Sequence, residues 1–163
     1  MIPQEPVFDV MRRTMVNLKY IEDGKTEDGP YEVTQLVNSF LGALAHPWEK
    51  FRQNLKLLSI AEAEDEGWPH IVKGSPNDQD QENLGELIRL IRNGLAHGNI
   101  EFLPDENNEI RAVRIWNLRN GQRTWCTELT VANMRTFLKC FVKQAEKLHE
   151  TGALRQNHDL RHQ

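Results

Sequence analysis

The stretch 79–97 constrains the fold most, because its apolar residues recur at the spacing of one helical face. These residues stand at i, i+3, i+4, i+7 and i+11: Leu84, Leu87, Ile88, Ile91 and Leu95. Such a period predicts an amphipathic helix with one buried stripe. Asp78 or Asp80 can cap its start, and Gly98 follows its end where a left-handed residue terminates many helices. We therefore predict a helix over 79–97 that packs against other elements.

The opposite face of this helix carries polar side chains near its end. At about 100° per residue, Arg89, Asn93 and His97 lie away from the apolar stripe, with Arg92 at its margin. Arginine offers a planar fork of donors that suits a phosphate, and an imidazole can take or give a proton near neutral pH. Asn93 can hold the imidazole in one tautomer or contact a ribose. A structural reading stays open, because a histidine in the last turn also interacts favourably with the helix dipole.

The pattern Arg92-Asn93-x-x-x-His97 resembles the signature of the HEPN superfamily (higher eukaryotes and prokaryotes nucleotide-binding), in which an arginine and a polar residue precede a histidine. The resemblance extends along most of the chain and is to a plasmid- and phage-associated bacterial branch. It is carried by Pro-Tyr-Glu-Val-Thr-Gln-Leu-Val-Asn-Ser at 30–39, Arg-Asn-Gly-Leu-Ala-His-Gly-Asn at 92–99, Ile-Trp-Asn at 115–117 and the closing helix. Members with the full signature are typically metal-independent endoribonucleases, often toxins or defence effectors. Others have lost activity and serve as binding modules.

This resemblance implies roles for the three motif residues. The 2′-hydroxyl of RNA attacks its own 3′-phosphate and leaves a 2′,3′-cyclic phosphate, with His97 as general base or acid. Arg92 holds the phosphate and stabilises its developing charge, and Asn93 orients His97 or the ribose. No metal and no other cofactor is required. The alternative is a non-catalytic HEPN module that binds a nucleotide, an antitoxin or another protein. In a third reading, a structural partner domain, Arg92 and His97 are surface and cap residues.

HEPN sites are usually composite, so the resemblance also implies a homodimer in which two motif helices meet across a twofold axis. One chain supplies a single motif histidine, whereas acid and base roles call for two proton-transfer groups. Leu90 and Ala96 flank the polar face of the helix, so we expect this side to meet the second protomer. A cognate antitoxin is a further candidate partner.

Length and composition exclude several classes of protein. The 163 residues predict one domain over 1–150, followed by a polar, disordered tail at 151–163. A net charge of −4 argues against a broad basic nucleic-acid surface, so RNA contacts must be local. Cys126 and Cys140 form neither a metal-type pair nor a secreted disulfide framework. With no apolar run of ~18 residues and no signal sequence, we expect a soluble, cytoplasmic protein.

The pattern of apolar residues predicts four further helices. Helical periods cover 6–22, 30–46, 48–61 and 131–150, and Thr130 is a candidate cap for the last of them. His46, before a proline, has no arginine five residues earlier and is interpreted as a helix-end residue. The stretch 67–80 has no period and is predicted to be a long loop that could border the site.

Three short strands are predicted at 100–103, 110–117 and 122–128, with a hairpin turn at Asn120-Gly121. A two-residue turn would place Trp116 opposite Trp125. We interpret these tryptophans as a packed pair that covers the helices, rather than as a surface that stacks RNA bases. The predicted fold is therefore mainly α, a four- to five-helix HEPN-like bundle with a small antiparallel β-insert (about 100–128) before the last helix.

Charged side chains outside the motif form two groups. Basic residues recur every four positions in the last helix: Arg135, Lys139, Lys143 and Lys147. A solvated face is their default role, but Arg89, Lys139 and Lys143 are candidate RNA contacts. The acidic run at 62–66 has no histidine or cysteine at ligand spacing, so we predict surface there and no metal site.

Overall fold

Six α-helices and one three-stranded antiparallel sheet form the part of the chain that the computed structural model describes, residues 6–24, 32–45 and 48–150. In chain order the elements are α1 (Pro6–Asp23), α2 (Glu32–Ala45), α3 (Trp48–Leu55), α4 (Ile60–Asp65), α5 (Leu84–Ala96), β1 (Ile100–Pro104), β2 (Ile110–Arg119), β3 (Gln122–Thr130) and α6 (Val131–Glu150). The mainly helical class and the small sheet before the last helix are confirmed, whereas the predicted number of helices was too low. His46 and the tail at 151–163 lie outside the described residues.

The predicted helix over 48–61 is wrong, because the chain breaks there into α3 and α4. Ser59 has an extended backbone, and its hydroxyl accepts a hydrogen bond from the Glu62 amide at 3.2 Å. The Glu62 carboxylate in turn accepts from the Ser59 amide at 2.9 Å. This reciprocal capping box starts a new helix within the stretch 48–61, whose apolar spacing predicted a single helix.

Helix α5 begins later than the sequence suggests, and Asn83 is its cap in place of Asp78 or Asp80. The Asn83 side chain accepts from the Glu86 amide at 3.0 Å. The residues before it are held in an extended path, since the Gln79 amide donates to the Thr124 carbonyl at 2.9 Å. At the other end, Gly98 has φ +68°, which confirms the predicted left-handed stop.

Helix α5 lies between helices on one flank and the sheet on the other, with contacts to α2, α3 and β2. All five residues of the predicted stripe are buried: Leu84, Leu87, Ile88, Ile91 and Leu95. Leu90 is buried as well, because β2 covers its flank and the Asn117 side-chain amide donates to the Leu90 carbonyl at 2.8 Å. The expectation that Leu90 borders a free face is therefore wrong, whereas Ala96 is exposed.

The sheet has the order β1-β2-β3, and its hairpin turn is confirmed by the pairing of Arg119 with Gln122. The predicted pairing of Trp116 with Trp125 is wrong. An irregularity beside Asn117 shifts the register by one residue, so that Trp116 faces Cys126 and Trp125 faces Asn117. The two indoles consequently lie on opposite faces of the sheet, with Trp125 fully buried and Trp116 half-buried.

Helix α6 closes the core. The Thr130 hydroxyl accepts from the Asn133 amide at 3.0 Å, which confirms the predicted cap. On its buried side, the ring of Phe137 packs against Phe40 of α2 and against Trp68 in the loop after α4. No helix among the described residues is long and apolar enough to cross a membrane.

Candidate functional site

The predicted site residues occupy the last turns of α5 and the residue that caps it. Arg92 and Asn93 are half-buried. His97 is exposed at the C-cap, where its backbone amide donates to the backbone carbonyl of Asn93 at 3.1 Å. Because Asn93 and His97 are four residues apart, their side chains leave the helix on one face. The side-chain amide of Asn93 and the imidazole of His97 therefore share one face of the helix end, with Asn93 half-buried and His97 exposed.

Arg92 leaves the helix on the flank that faces α3. Gly85 lies two turns earlier on this flank, and a Cβ there would come within 2.8 Å of Lys56. The Nε atom of Arg92 is buried and has no hydrogen-bond partner among the described residues. A buried donor without a partner is costly, so the Arg92 guanidinium keeps hydrogen-bonding capacity that no described residue of the chain uses.

Arg89 adds a second guanidinium to the same polar face. It is half-buried and precedes Asn93 by one turn. No salt bridge engages Arg89 or Arg92 within the described part of the chain. Both positive charges are therefore available to an external anion.

Gly94 holds the end of this helix against the sheet. A Cβ at this position would clash with Ile115 and would lie 2.9 Å from the Trp116 carbonyl oxygen. Just beyond, the Asn99 amide donates to the Gly94 carbonyl at 2.9 Å, and the Asn99 carbonyl accepts from the Trp116 amide at 3.2 Å. The backbone on both sides of His97 is thus fixed to β2. Sequence reasoning missed this role, although a glycine inside a helical pattern was its signal.

A protein-family model described as HEPN pEK499 p136 matches residues 2–151. This chain belongs to that plasmid-associated HEPN family. The match spans the HEPN motif at 92–97, the sheet and α6, which confirms the resemblance found in the sequence. Neither the comparison with curated proteins nor the one with solved structures gives a match.

The other candidate RNA contacts, Lys139 and Lys143, lie apart from the HEPN motif. They flank Cys140 on α6, whose thiol donates to the Gly67 carbonyl at 3.4 Å. The row of basic residues on α6 to which they belong is partly neutralised, because Arg135 pairs with Glu22 at 2.6 Å and Lys147 with Glu66 at 3.7 Å. The structure thus brings Arg89, but not these two lysines, next to the motif.

The long loop 67–80 does not form a wall around the motif but extends the sheet. The Gly74 amide donates to the Cys126 carbonyl at 2.7 Å, and Lys73 pairs with Thr127 in an antiparallel β-bridge. Among the described residues, no three His, Cys, Asp or Glu side chains are grouped so that they could hold a metal ion.

The close approach at Gly94 gives a test of this geometry. Alanine in place of a helical glycine normally stabilises by ~1 kcal/mol, but overpacking costs ~1–3 kcal/mol. We expect Gly94→Ala to lower the free energy of unfolding by up to ~2 kcal/mol, measured by denaturant titration. Gly42→Ala is the matched control, because no atom lies within 4 Å of its added Cβ, and it should stabilise by ~0.5–1 kcal/mol. Equal gains at both glycines would contradict the close approach.

Proposed function

We propose that this HEPN protein is a metal-independent endoribonuclease that acts as a toxin or defence effector. One arrangement carries the proposal: an exposed imidazole beside the Asn93 amide, on the same helix as an arginine whose buried Nε has no internal partner. These groups match the needs of RNA cleavage, which are proton transfer at a hydroxyl and charge stabilisation at a phosphate.

The proposed reaction is the one that membership of the HEPN family implies. The 2′-hydroxyl loses its proton and attacks the adjacent phosphorus, the bond from phosphorus to the 5′-oxygen breaks, and that oxygen takes a proton. The products are a 2′,3′-cyclic phosphate and a 5′-hydroxyl. His97 serves as base or acid, and Arg92 stabilises the charge that develops on the phosphate oxygens. Asn93, one turn before His97, orients the imidazole or the ribose. Arg89 supplies a second positive charge beside them.

A second protomer supplies the missing proton-transfer group. Removal of one proton and delivery of another call for two groups, and the motif of one chain holds one histidine. The surface around the motif is suited to a twofold contact, because Ala96 is small and exposed between the polar side chains. Leu90 belongs to the core of each protomer, so this interface is built from Arg89, Asn93, Ala96 and His97.

Substitution of the motif residues tests the catalytic roles. His97→Ala should reduce RNA cleavage ~100- to 10,000-fold, while the loss of a helix-terminal imidazole costs only ~0.3–1 kcal/mol of stability. Arg92→Lys should also be severely impaired, because an ammonium cannot reproduce the bidentate fork. Initial cleavage rates of a single-stranded RNA, with thermal unfolding in parallel, separate the two effects. His46→Ala is the control and should keep most activity. If only His46→Ala loses activity, the proposed site on α5 is wrong.

Chelation tests the proposed chemistry. RNA cleavage should continue at an unchanged rate in EDTA, because the attack on phosphorus uses the imidazole and guanidinium of the protein. Mass spectrometry of the products should find a 2′,3′-cyclic phosphate or its opened form. Activity that disappears in EDTA and returns with magnesium would contradict the mechanism. Purified protein that cuts no single-stranded RNA under either condition would favour the non-catalytic binding module.

Substitution of Ala96, the small exposed residue in the proposed interface, tests whether the protein forms a dimer. We expect two chains per particle in analytical ultracentrifugation at micromolar concentration. Ala96→Arg places a long charged side chain in the proposed interface and should give a particle of one chain with little activity. Ala132→Arg is the control, since this alanine is exposed on α6 away from the motif, and it should leave the dimer intact. A single-chain mass for the unchanged protein would exclude the composite site.

A further inference from the structure

The sheet has one open face, which carries an aromatic side chain. On β2, Ile115 and Asn117 are buried toward α5, so Arg114, Trp116 and Leu118 alternate onto the other face. The Trp116 indole is half-buried there and Leu118 is 51% exposed. An indole on an open face was not expected from the sequence, in which both tryptophans were interpreted as a packed pair.

The charges on this face leave one guanidinium available. The fork of Arg114 binds Glu101 at 2.6 Å and Glu128 at 2.7 Å, so its single positive charge is shared between two carboxylates and the trio keeps one net negative charge. The Arg123 side chain is 51% exposed, whereas its acidic neighbour Asp78 is 4% exposed at 3.4 Å. A ligand that approaches this face therefore meets the positive charge of Arg123 before the negative charge of Asp78.

A shallow groove runs beside the indole. It has a volume of about 540 Å³ between the loop and the strands, and its lining includes His70, Val72, Gly74, Arg123, Cys126 and Glu128. Trp116 is paired in the strand register with Cys126, which lines this groove. Burial raises the pKa of the Cys126 thiol, so this thiol adds no charge to the groove at neutral pH.

The strand that carries this indole is joined directly to the segment that follows the motif helix. The Trp116 amide donates to the carbonyl of Asn99, two residues after His97 in the chain. The indole itself lies on the face of β2 opposite to α5, so an RNA strand that joins His97 to Trp116 must pass around the start of β1.

We propose that the open face formed by Trp116, Leu118 and Arg123, here called the sheet platform, binds the single-stranded RNA that extends from the site at His97. One base stacks on the Trp116 indole and a phosphate contacts Arg123. Stacking of this kind needs an unpaired base, which selects single strands over duplexes. The inference rests on the proposed function for the identity of its ligand.

Binding to a protein that cannot cut RNA tests the platform. In a His97→Ala background, the affinity for a fluorescent single-stranded RNA of about 12 nucleotides is measured by fluorescence anisotropy. Added Trp116→Ala should weaken binding about 5- to 150-fold. Trp116→Phe keeps an aromatic face and should bind nearly as well as the parent. Trp116→Leu keeps apolar bulk without that face and should bind like Trp116→Ala, which separates stacking from packing.

The contribution of Arg123 is read from the salt dependence. Loss of one phosphate contact lowers the slope of log affinity against log salt concentration by ~0.7 for a single strand, and we expect this for Arg123→Gln. Tyr20→Ala is the control for an exposed aromatic ring elsewhere, since Tyr20 is 80% exposed on α1. It should change neither the affinity nor the slope.

The outcomes separate this inference from the proposed function. Equal affinities of the parent, Trp116→Ala and Trp116→Leu would overturn the platform, as would a duplex that competes as well as the single strand. If the unsubstituted protein cuts RNA but the Trp116 substitutions leave RNA affinity unchanged, only the platform fails. If RNA binds through Trp116 but the unsubstituted protein cuts nothing, the platform stands and the ribonuclease proposal fails.

Discussion

The contact between α5 and β2 is the packing on which the rest of the structure depends. Gly94 lets the helix approach the strand so closely that a Cβ would lie 2.9 Å from the Trp116 carbonyl oxygen. On the same side, Asn117 ties its side chain to the Leu90 carbonyl. These contacts bury one flank of the helix under the sheet, while α2 and α3 cover the other. What remains exposed is a narrow polar face, and the HEPN motif lies on it.

Local patterns predicted the elements that depend on local physics. The stripe from Leu84 to Leu95, the stop at Gly98 and the turn at Asn120-Gly121 each follow from a few neighbouring residues, and the structure contains all three. The same holds for the position of the motif on α5. The placement of Arg92, Asn93 and His97 outside the buried stripe therefore follows from the helical period, whereas their chemical roles rest on the family resemblance.

The helix predicted over 48–61 is broken by a local capping box at Ser59, but three other wrong predictions share a different cause, which is contact between residues distant in the sequence. Asn83 replaces the predicted caps because Gln79 is held by Thr124 in an extended path. Leu90 is buried because a strand more than 20 residues later covers it. A one-residue shift in strand register separates Trp116 from Trp125. Helical period contains no information about such partners, so the extent of the buried surface cannot be predicted from one stretch alone.

The two proposed surfaces are compatible because the end of α5 divides them. The polar face with Arg89, Asn93 and Ala96 points away from the sheet and is left for a second protomer. The sheet platform lies on the face of β2 opposite to α5. His97 stands between them at the point where the chain leaves the helix for β1. In the proposed arrangement the second protomer and the RNA strand therefore use different surfaces, and the net charge of −4 is compatible with an RNA contact that is confined to a few residues.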